Sequence, residues 1–372
     1  MAKVVHLSTV HTTFDARIFH KECKTLRNAG HEVILYCHHP SFTTVDGIRI
    51  KSLGTPSSRP ERWKNIPSAA QRAARENGDV YHFHDPELIP AAIYLSQTTT
   101  GKVVFDVHEN YPNKIERREW IPNIVKPALR RSFPYIQTTA ANQFDGLIGA
   151  TEWVTDQFSH PLAATVHNYP IVDEIELPES PRQSEHEYQL AYVGSLNTNR
   201  GMVRMVKLTR DLVNKGLDVG LWLVGPIDGA AAKRQADKII SENNLENRVT
   251  FFGEVNYLDI FEYLCGADAG LALTQPEDCV GAIPSKLFDY MYANLPIIAS
   301  SMPMTNQYLP DECGITVPFH DISRIGRDVE DFLTSGRYTK LAGNGQRHIH
   351  NEFSWKQEQK TLLSLYDSLL SN

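Results

Sequence analysis

The sequence predicts an α/β protein of two doubly wound domains, each a parallel sheet with helices on both faces. Short apolar runs of strand length alternate with helical patterns along the chain. The runs are apolar throughout rather than alternating, as in strands buried on both faces. The series stops and then restarts near the middle of 372 residues, a length that suits two domains of about 150–190 residues.

The elements follow in order. "KVVHLS", "HEVILYC", "DVYHFH" and "KVVFDVH" read as strands. Between the first two, Ile18, Phe19, Cys23 and Leu26 recur at helical spacing, and Gly30 supplies a stop. The segment at residues 168–189, "NYPIVDEIELPESPRQSEHEYQ", is rich in Pro, Ser and charge and marks the boundary. This places one domain over residues 1–170 and the other over 188–352. In the second half "YQLAYVGS", "DVGLWLVG", "RVTFFG", "AGLALT" and "PIIAS" are strands; "MVRMVKLTRDLVNKG", "AKRQADKIISENNL" and "YLDIFEYLCGA" are helices. A final helix over 354–370 carries Trp355, Leu362, Leu365, Tyr366 and Leu369 on one face.

Composition narrows the function. Hydrophobic content of 41% with 22% charged residues is that of a soluble globular protein. A formal net charge of −7 argues against general nucleic-acid binding, which needs a basic face. No stretch reads as a signal peptide or as the run of about 20 apolar residues that spans a bilayer. The five cysteines are scattered without CxxC spacing, so a reducing cytoplasm is expected and a disulfide framework or zinc site is not.

Two segments of the second half read as anion sites. In "GAIPSKLFDYMYANLPIIAS" a loop with the amides of Gly281 and Ala282 runs into a helix. Ser285 is placed to cap that helix and Lys286 opens it. Free N–H groups, the helix dipole and a lysine together favour a phosphate. Asp289, one turn further on, either complements the dipole or accepts hydrogen bonds from the hydroxyls of a ribose. In "YVGSLNTNRGMVRMV" a strand ends at Gly194, followed by Ser195, and a helix begins near Gly201. Arg200 stands at its mouth, either as a solvated loop residue or as a bidentate phosphate ligand. Both segments fall at the carboxyl ends of strands, where open parallel sheets bind ligands.

These motifs resemble a family-4 glycosyltransferase of the GT-B fold. "YVGSLNTNRGM" and "IPSKLFDYMYANLPIIAS" are similar to the family's two phosphate-binding segments. "HLSTVHTTFDARIFHKECKTLRNAGHEV", "HFHDPEL" and "DVHE" match the first half of many bacterial members. The resemblance implies two Rossmann-like domains facing a cleft, with the last helix crossing back to the first. It implies a nucleotide-sugar donor on the second domain and a glycan or lipid-linked saccharide acceptor mainly on the first. Transfer is expected with retention of anomeric configuration. Since no D-x-D occurs, neither a catalytic metal nor any cofactor is expected.

Carried over residue by residue, the resemblance makes His108 the group that orients the transferred sugar, with Glu109 beside it. His84 either meets the acceptor or is a satisfied strand-end histidine, and His82 belongs to the core. A zinc site of His82, His84 and His108 is set aside, because alternation along a strand does not converge three ligands. His11, Asp15 and Arg17 lie beside the acceptor, although Asp15 equally suits a helix cap. Gly253 and Glu254 contact the nucleotide base, as does Gly225. Two departures stand out. Gly281 replaces the first of the family's paired glutamates, so Glu277, Asp278 or the amides of Gly281 and Ala282 must serve the donor sugar. Ser195 replaces a basic residue, which leaves phosphate neutralisation to Arg200 and Lys286.

Residues 113–135 break the acidic trend with six Lys or Arg among Trp120, Ile121, Ile124, Val125 and Leu129. They form either a peripheral membrane face at the inner leaflet or a helix packed on its own domain. The competing functions are a sugar-nucleotide epimerase or hydrolase on the same architecture and a noncatalytic nucleotide-sugar-binding module. A dinucleotide-dependent dehydrogenase is disfavoured, since no G-x-G-x-x-G follows the first strand.

Overall fold

The computed structural model describes residues 1–108, 115, 121–276, 281 and 283–371. The chain forms two compact units, Met1–Asn168 with Trp355–Asn372, and Tyr169–Ser354.

The first unit is built on an eight-stranded sheet. In chain order its strands are β1 (Lys3–Leu7), β2 (Glu32–Cys37), β3 (Thr43–Val45), β4 (Ile48–Ser52), β5 (Val80–Phe83), β6 (Lys102–Val107), β7 (Gly146–Gly149) and β8 (Ala163–Thr165). The spatial order is β3-β4-β2-β1-β5-β6-β7-β8, parallel except for the β3–β4 hairpin. That hairpin turns at Asp46 and Gly47, both with positive φ, the geometry that Asp-Gly favours. β1 pairs with β5 so that His6 lies beside His82.

The segment between β1 and β2 departs from the expected α-helix. Ala16–Cys23 is wound as a π-helix and tightens to an α-helix only over Lys24–Asn28. In the wider winding, residues five apart share a face. Arg17 and Glu22 are such a pair, and both side chains are buried. Asp15 caps the segment, its carboxylate accepting from the N–H groups of Arg17 (2.8 Å) and Ile18 (3.0 Å).

The final helix, Trp355–Ser371, packs on this unit through the five residues of its predicted apolar face, all buried. The Trp355 indole donates to Thr25 Oγ1 at 2.9 Å. Where the strand β8 leaves the sheet, the His167 N–H donates to the Glu358 carboxylate of this helix at 2.6 Å.

The second unit contains β9 (Tyr188–Val193), β10 (Val219–Val224), β11 (Val249–Gly253), β12 (Ala269–Ala272), β13 (Ile297–Ser300) and β14 (Gly314–Val317). All pair in parallel in the order β11-β10-β9-β12-β13-β14. This is the 3-2-1-4-5-6 order of a doubly wound sheet, in which the strand order reverses between β9 and β12. One face is covered by helices Met202–Asn214, Ala230–Glu242 and Ile322–Thr334. The other is covered by helices that include Ile260–Leu264 and Lys286–Tyr292. The Pro- and Ser-rich connection is itself packed here. Tyr169, Val172 and Ile175 are buried, and the Tyr292 hydroxyl donates to the carbonyls of Val172 and Ile175.

Candidate active site

In the second unit three adjacent strands end in glycine. Gly194, Gly225 and Gly253 follow or close β9, β10 and β11 with φ of +122°, +137° and +74°. The Gly194 N–H donates to Val224 O (2.9 Å) and the Gly225 N–H to Gly253 O (2.7 Å), so the strand ends are stitched together. A Cβ on Gly225 would stand 2.1 Å from Gly194 O, which explains the glycine there. The result is a rim of glycine backbone, exposed at Gly194, half-buried at Gly253 and buried at Gly225.

The loop from Gly194 to Gly201 folds over the reversal point. Asn197 Oδ1 accepts from the Arg200 N–H (2.9 Å), and the Gln275 N–H, just past β12, donates to Asn199 O (2.9 Å). Gly201 packs so closely on β12 that a Cβ would meet Leu273 O at 2.2 Å. Arg200 is half-buried immediately before the helix Met202–Asn214.

Lys286 joins the two predicted anion sites. It is buried, with Nζ 5.2 Å from the centre of the Tyr192 ring. Its Cε lies 4.0 Å from where a Gly194 Cβ would be. The Tyr192 hydroxyl in turn donates to Ser195 O at 2.9 Å. The β9 loop and the start of the helix Lys286–Tyr292 therefore meet at Gly194. Two local expectations change. Ser285 occupies the cap position, but its backbone is already helical and its side chain makes no capping bond. The Asp289 carboxylate accepts from the Tyr257 hydroxyl at 2.8 Å, a partner that spacing did not suggest. Gly253 and Glu254 lie at the end of β11, with Glu254 exposed. Gly281 is buried with φ +74°; Glu277, Asp278 and Ala282 lie outside the described residues.

The first unit concentrates histidines and acids at the ends of β1, β5 and β6. Asp106 Oδ2 is the hub. It lies 2.8 Å from His108 Nε2, 3.1 Å from His84 Nδ1 and 3.2 Å from Arg17 Nε. Arg17 Nη2 donates to Asp106 Oδ1 (2.9 Å) and Nη1 to Val166 O (2.6 Å). Arg17 Nε is also 2.9 Å from Glu22 Oε1, close enough for attraction but not aligned for a hydrogen bond. The guanidinium is thus spent inside the unit rather than presented to an acceptor. His84 is fully buried, bonded through Nε2 to His6 Nδ1 at 2.9 Å, and so fits the satisfied strand-end reading. His82 is core as expected, 2.8 Å through Nδ1 from the Tyr366 hydroxyl.

Burial opposes charge on Asp106, yet the Arg17 guanidinium and His108 hold its carboxyl well below the usual range. Glu22 moves the other way, raised by burial and by the neighbouring Asp106 charge. Burial brings His84 down to about 4 against the pull of Asp106. His11 reaches the site's edge, with Nδ1 3.1 Å from Asp15 and Nε2 3.6 Å from Asp85. Asp85 was not singled out from the sequence, yet Oδ2 accepts from Ser8 Oγ and the Thr9 and Val10 N–H groups. Glu109 lies outside the described residues.

A family model described as glycosyl transferases group 1 matches residues 173–348, and one described as glycosyltransferase family 4 matches residues 16–168. This chain belongs to the GT-B glycosyltransferases. No curated protein matches its sequence significantly. Among solved structures, sucrose-phosphate synthase from Thermosynechococcus elongatus superposes with a TM-score of 0.80 at 16% identity, over 100% of each chain. A glycosyltransferase from Rickettsia africae gives 0.76 at 15%, covering 100% of this chain and 99% of its own. HepE from Anabaena, solved with UDP and glucose, gives 0.74 at 12%, covering 99% of this chain and 100% of its own. At these identities the likeness is one of fold. For a GT-B glycosyltransferase, the residues that spacing alone missed are buried acids, Glu22 and Asp106, and the aromatic partners Tyr192 and Tyr257. An aspartate inside the apolar strand "KVVFDVH" was the one visible signal among them.

Proposed function

We propose that this GT-B glycosyltransferase moves a sugar, with retention, from a nucleoside-diphosphate sugar to a glycan or lipid-linked saccharide. The observation that carries the reading is the meeting of Lys286 with the Gly194 loop, which bears Arg200, at the reversal point of the second sheet. Breaking the sugar–diphosphate bond builds negative charge on the leaving phosphate, and fixed positive charge aimed there is the largest contribution a protein makes. Lys286, Arg200 and the amides around Gly194 and Ser195 supply it. Ser285 and the Gly281 amide extend the same cradle, and Asp289 takes the ribose hydroxyls once Tyr257 shares or yields its bond. Gly225, Gly253 and Glu254 border the base, and Glu277 serves the donor sugar. HepE, solved in complex with UDP and glucose and with UDP-glucose, supports a donor of this class.

On the first unit His108, oriented by Asp106, acts on the transferred sugar. His11, Asp15, Glu109 and, through its network, His84 shape the acceptor side; Arg17 acts as a positioning residue. The leaving phosphate takes the acceptor's proton, so no separate nucleophile is needed. A panel of UDP-, GDP- and ADP-sugars with saccharide acceptors tests the reading. Nucleotide release that requires the acceptor is expected; release without it would favour a hydrolase, and binding without release a noncatalytic module. Arg200→Ala and Lys286→Ala should each slow transfer by roughly two to three orders of magnitude. Near-parental turnover in both would refute the assignment.

We propose further that the face around residues 121–136 rests on an anionic bilayer. Ile124 is 88% exposed and Tyr135 75%, with Val125, Leu129 and Ile136 also exposed. Lys126, Arg130 and Arg131 accompany them, and no acid occurs from Trp120 to Phe144. Lys114, Arg117, Arg118 and Trp120, the rest of the predicted segment, lie outside the described residues. Among the described residues no helix is long and apolar enough to cross a membrane. Flotation with anionic vesicles should collapse when Arg130 and Arg131 become Glu, and unchanged flotation would refute the contact.

A further inference from the structure

The histidine–acid cluster of the first unit is built like a closed metal site. Register places His6 beside His82, and His84 follows on the same face two residues along β5 and beyond. Glu22 comes down onto that face from the π-helical segment. Each of His6, Glu22, His82 and His84 is fully buried and offers an atom within 4.8 Å of the others; so do His84, Asp106 and His108.

Two carboxylate oxygens approach the same two imidazole nitrogens. Glu22 Oε2 lies 3.9 Å from His82 Nε2 and 3.8 Å from His84 Nδ1. Asp106 Oδ2 lies 3.8 Å from His82 Nε2 and 3.1 Å from His84 Nδ1. A tetrahedral ion with bonds of about 2.0–2.1 Å sets its ligands roughly 3.3–3.4 Å apart. The spacings straddle that value and are longer than hydrogen bonds in three of the four cases. Both Glu22 oxygens and His82 Nε2 are buried without a hydrogen-bond partner among the described residues. Glu22 Oε1 at least faces Arg17, but Glu22 Oε2 and His82 Nε2 stand 3.9 Å apart with no hydrogen bond between them, and orphaned buried polar atoms are costly unless something occupies that space.

The surroundings complete the pattern. The far nitrogen of each imidazole is held: His82 Nδ1 by the Tyr366 hydroxyl and His84 Nε2 by His6. Arg17 holds both Asp106 oxygens, Oδ1 through Nη2 and Oδ2 through Nε. Such outer bonds fix ring orientation around metals. Two carboxylates face one guanidinium, so the cluster has room for positive charge. We propose that Glu22, His82, His84 and Asp106 hold one divalent transition ion of the zinc class, structural rather than catalytic because all four side chains are enclosed. The ion ties β5, β6 and the π-helical segment together and, through Tyr366, the final helix. Convergence comes from three elements, which alternation along a single strand could not reveal. The inference is independent of the proposed transfer reaction.

The test is elemental analysis of tag-free protein purified without chelators. About one transition metal per chain is expected. Glu22→Gln and His82→Gln should each lower the content at least tenfold, whereas His350→Gln, an exposed control, should not. Should the two variants not fold, cobalt taken up by the parent protein should show the visible absorption of a tetrahedral site. A parent protein with less than a tenth of an ion per chain, and a melting temperature unmoved by Zn²⁺, Co²⁺ or Mn²⁺, would overturn the site; so would content untouched in both variants. The cluster would then be a closed network in which Glu22 and Asp106 share a proton.

Discussion

The glycine rim of the second unit predicts a graded response to a single methyl group. At Gly225 an added Cβ would stand 2.1 Å from Gly194 O with φ at +137°, so backbone must move and strain remains. Strain of about 1–3 kcal/mol and overpacking of a similar size place Gly225→Ala at about 2–6 kcal/mol. At Gly194 the nearest atoms are Tyr192 Oη at 3.4 Å and Lys286 Cε at 4.0 Å, with φ +122°. Only strain applies there, about 1–3 kcal/mol. Gly253 has φ +74° and nothing within 4 Å, so its alanine costs about 1–2 kcal/mol for a left-handed residue. Urea unfolding followed by the buried Trp222 on β10 reports the second unit. The expected order of midpoints is Gly253→Ala above Gly194→Ala above Gly225→Ala. A Gly225→Ala protein as stable as Gly253→Ala would refute the reasoning that close approach of two strand ends, not backbone freedom alone, requires glycine. Gly194→Ala should in addition weaken donor binding, because its methyl enters the space beside Lys286.

His167 gives a prediction about pH. Burial opposes its charge, but Glu358 and Glu152 outweigh burial and raise its pKa above the usual 6.5. A raised folded value means stabilisation that is complete below pH 6.5 and lost as pH rises through the folded value. The melting-temperature gap between parent and His167→Gln should be larger at pH 6 than at pH 8.5; a gap that grows with pH would contradict the pairing. Trp355 anchors the final helix to Thr25, so Trp355→Ala should destabilise the first unit by about 3–5 kcal/mol. Denaturation that leaves the midpoint of this unit unchanged would show that the helix docks without it.

The doubly wound fold was legible because its central strands are buried on both faces and so appear as unbroken apolar runs. The β3–β4 hairpin escaped notice, although "VDGI" carries its turn, because its strands are short and only partly buried. The π-helical winding of Ala16–Cys23 was also hidden, since apolar spacing there suits an α-helix and the deviation serves a buried ion pair. At the candidate site, Lys286 and Gly194 were each readable from a local motif. Their meeting was not, because it depends on β9 and β12 lying side by side, a fact of strand order. The same applies to the first unit. Alternation along β5 correctly put His82 in the core, but the convergence of Glu22, His82, His84 and Asp106 needs three elements in register.

Donor binding in the second unit requires the diphosphate to lie against Lys286, Arg200 and the Gly194 loop. Calorimetric titration of UDP, GDP and ADP into the parent protein, then of the tightest binder into Arg200→Ala and Lys286→Ala, addresses this directly. A hydrogen bond to a charged group is worth about 1.5–3 kcal/mol, so each variant should bind roughly ten- to a hundredfold more weakly. Affinity within twofold of the parent in both variants would contradict the placement.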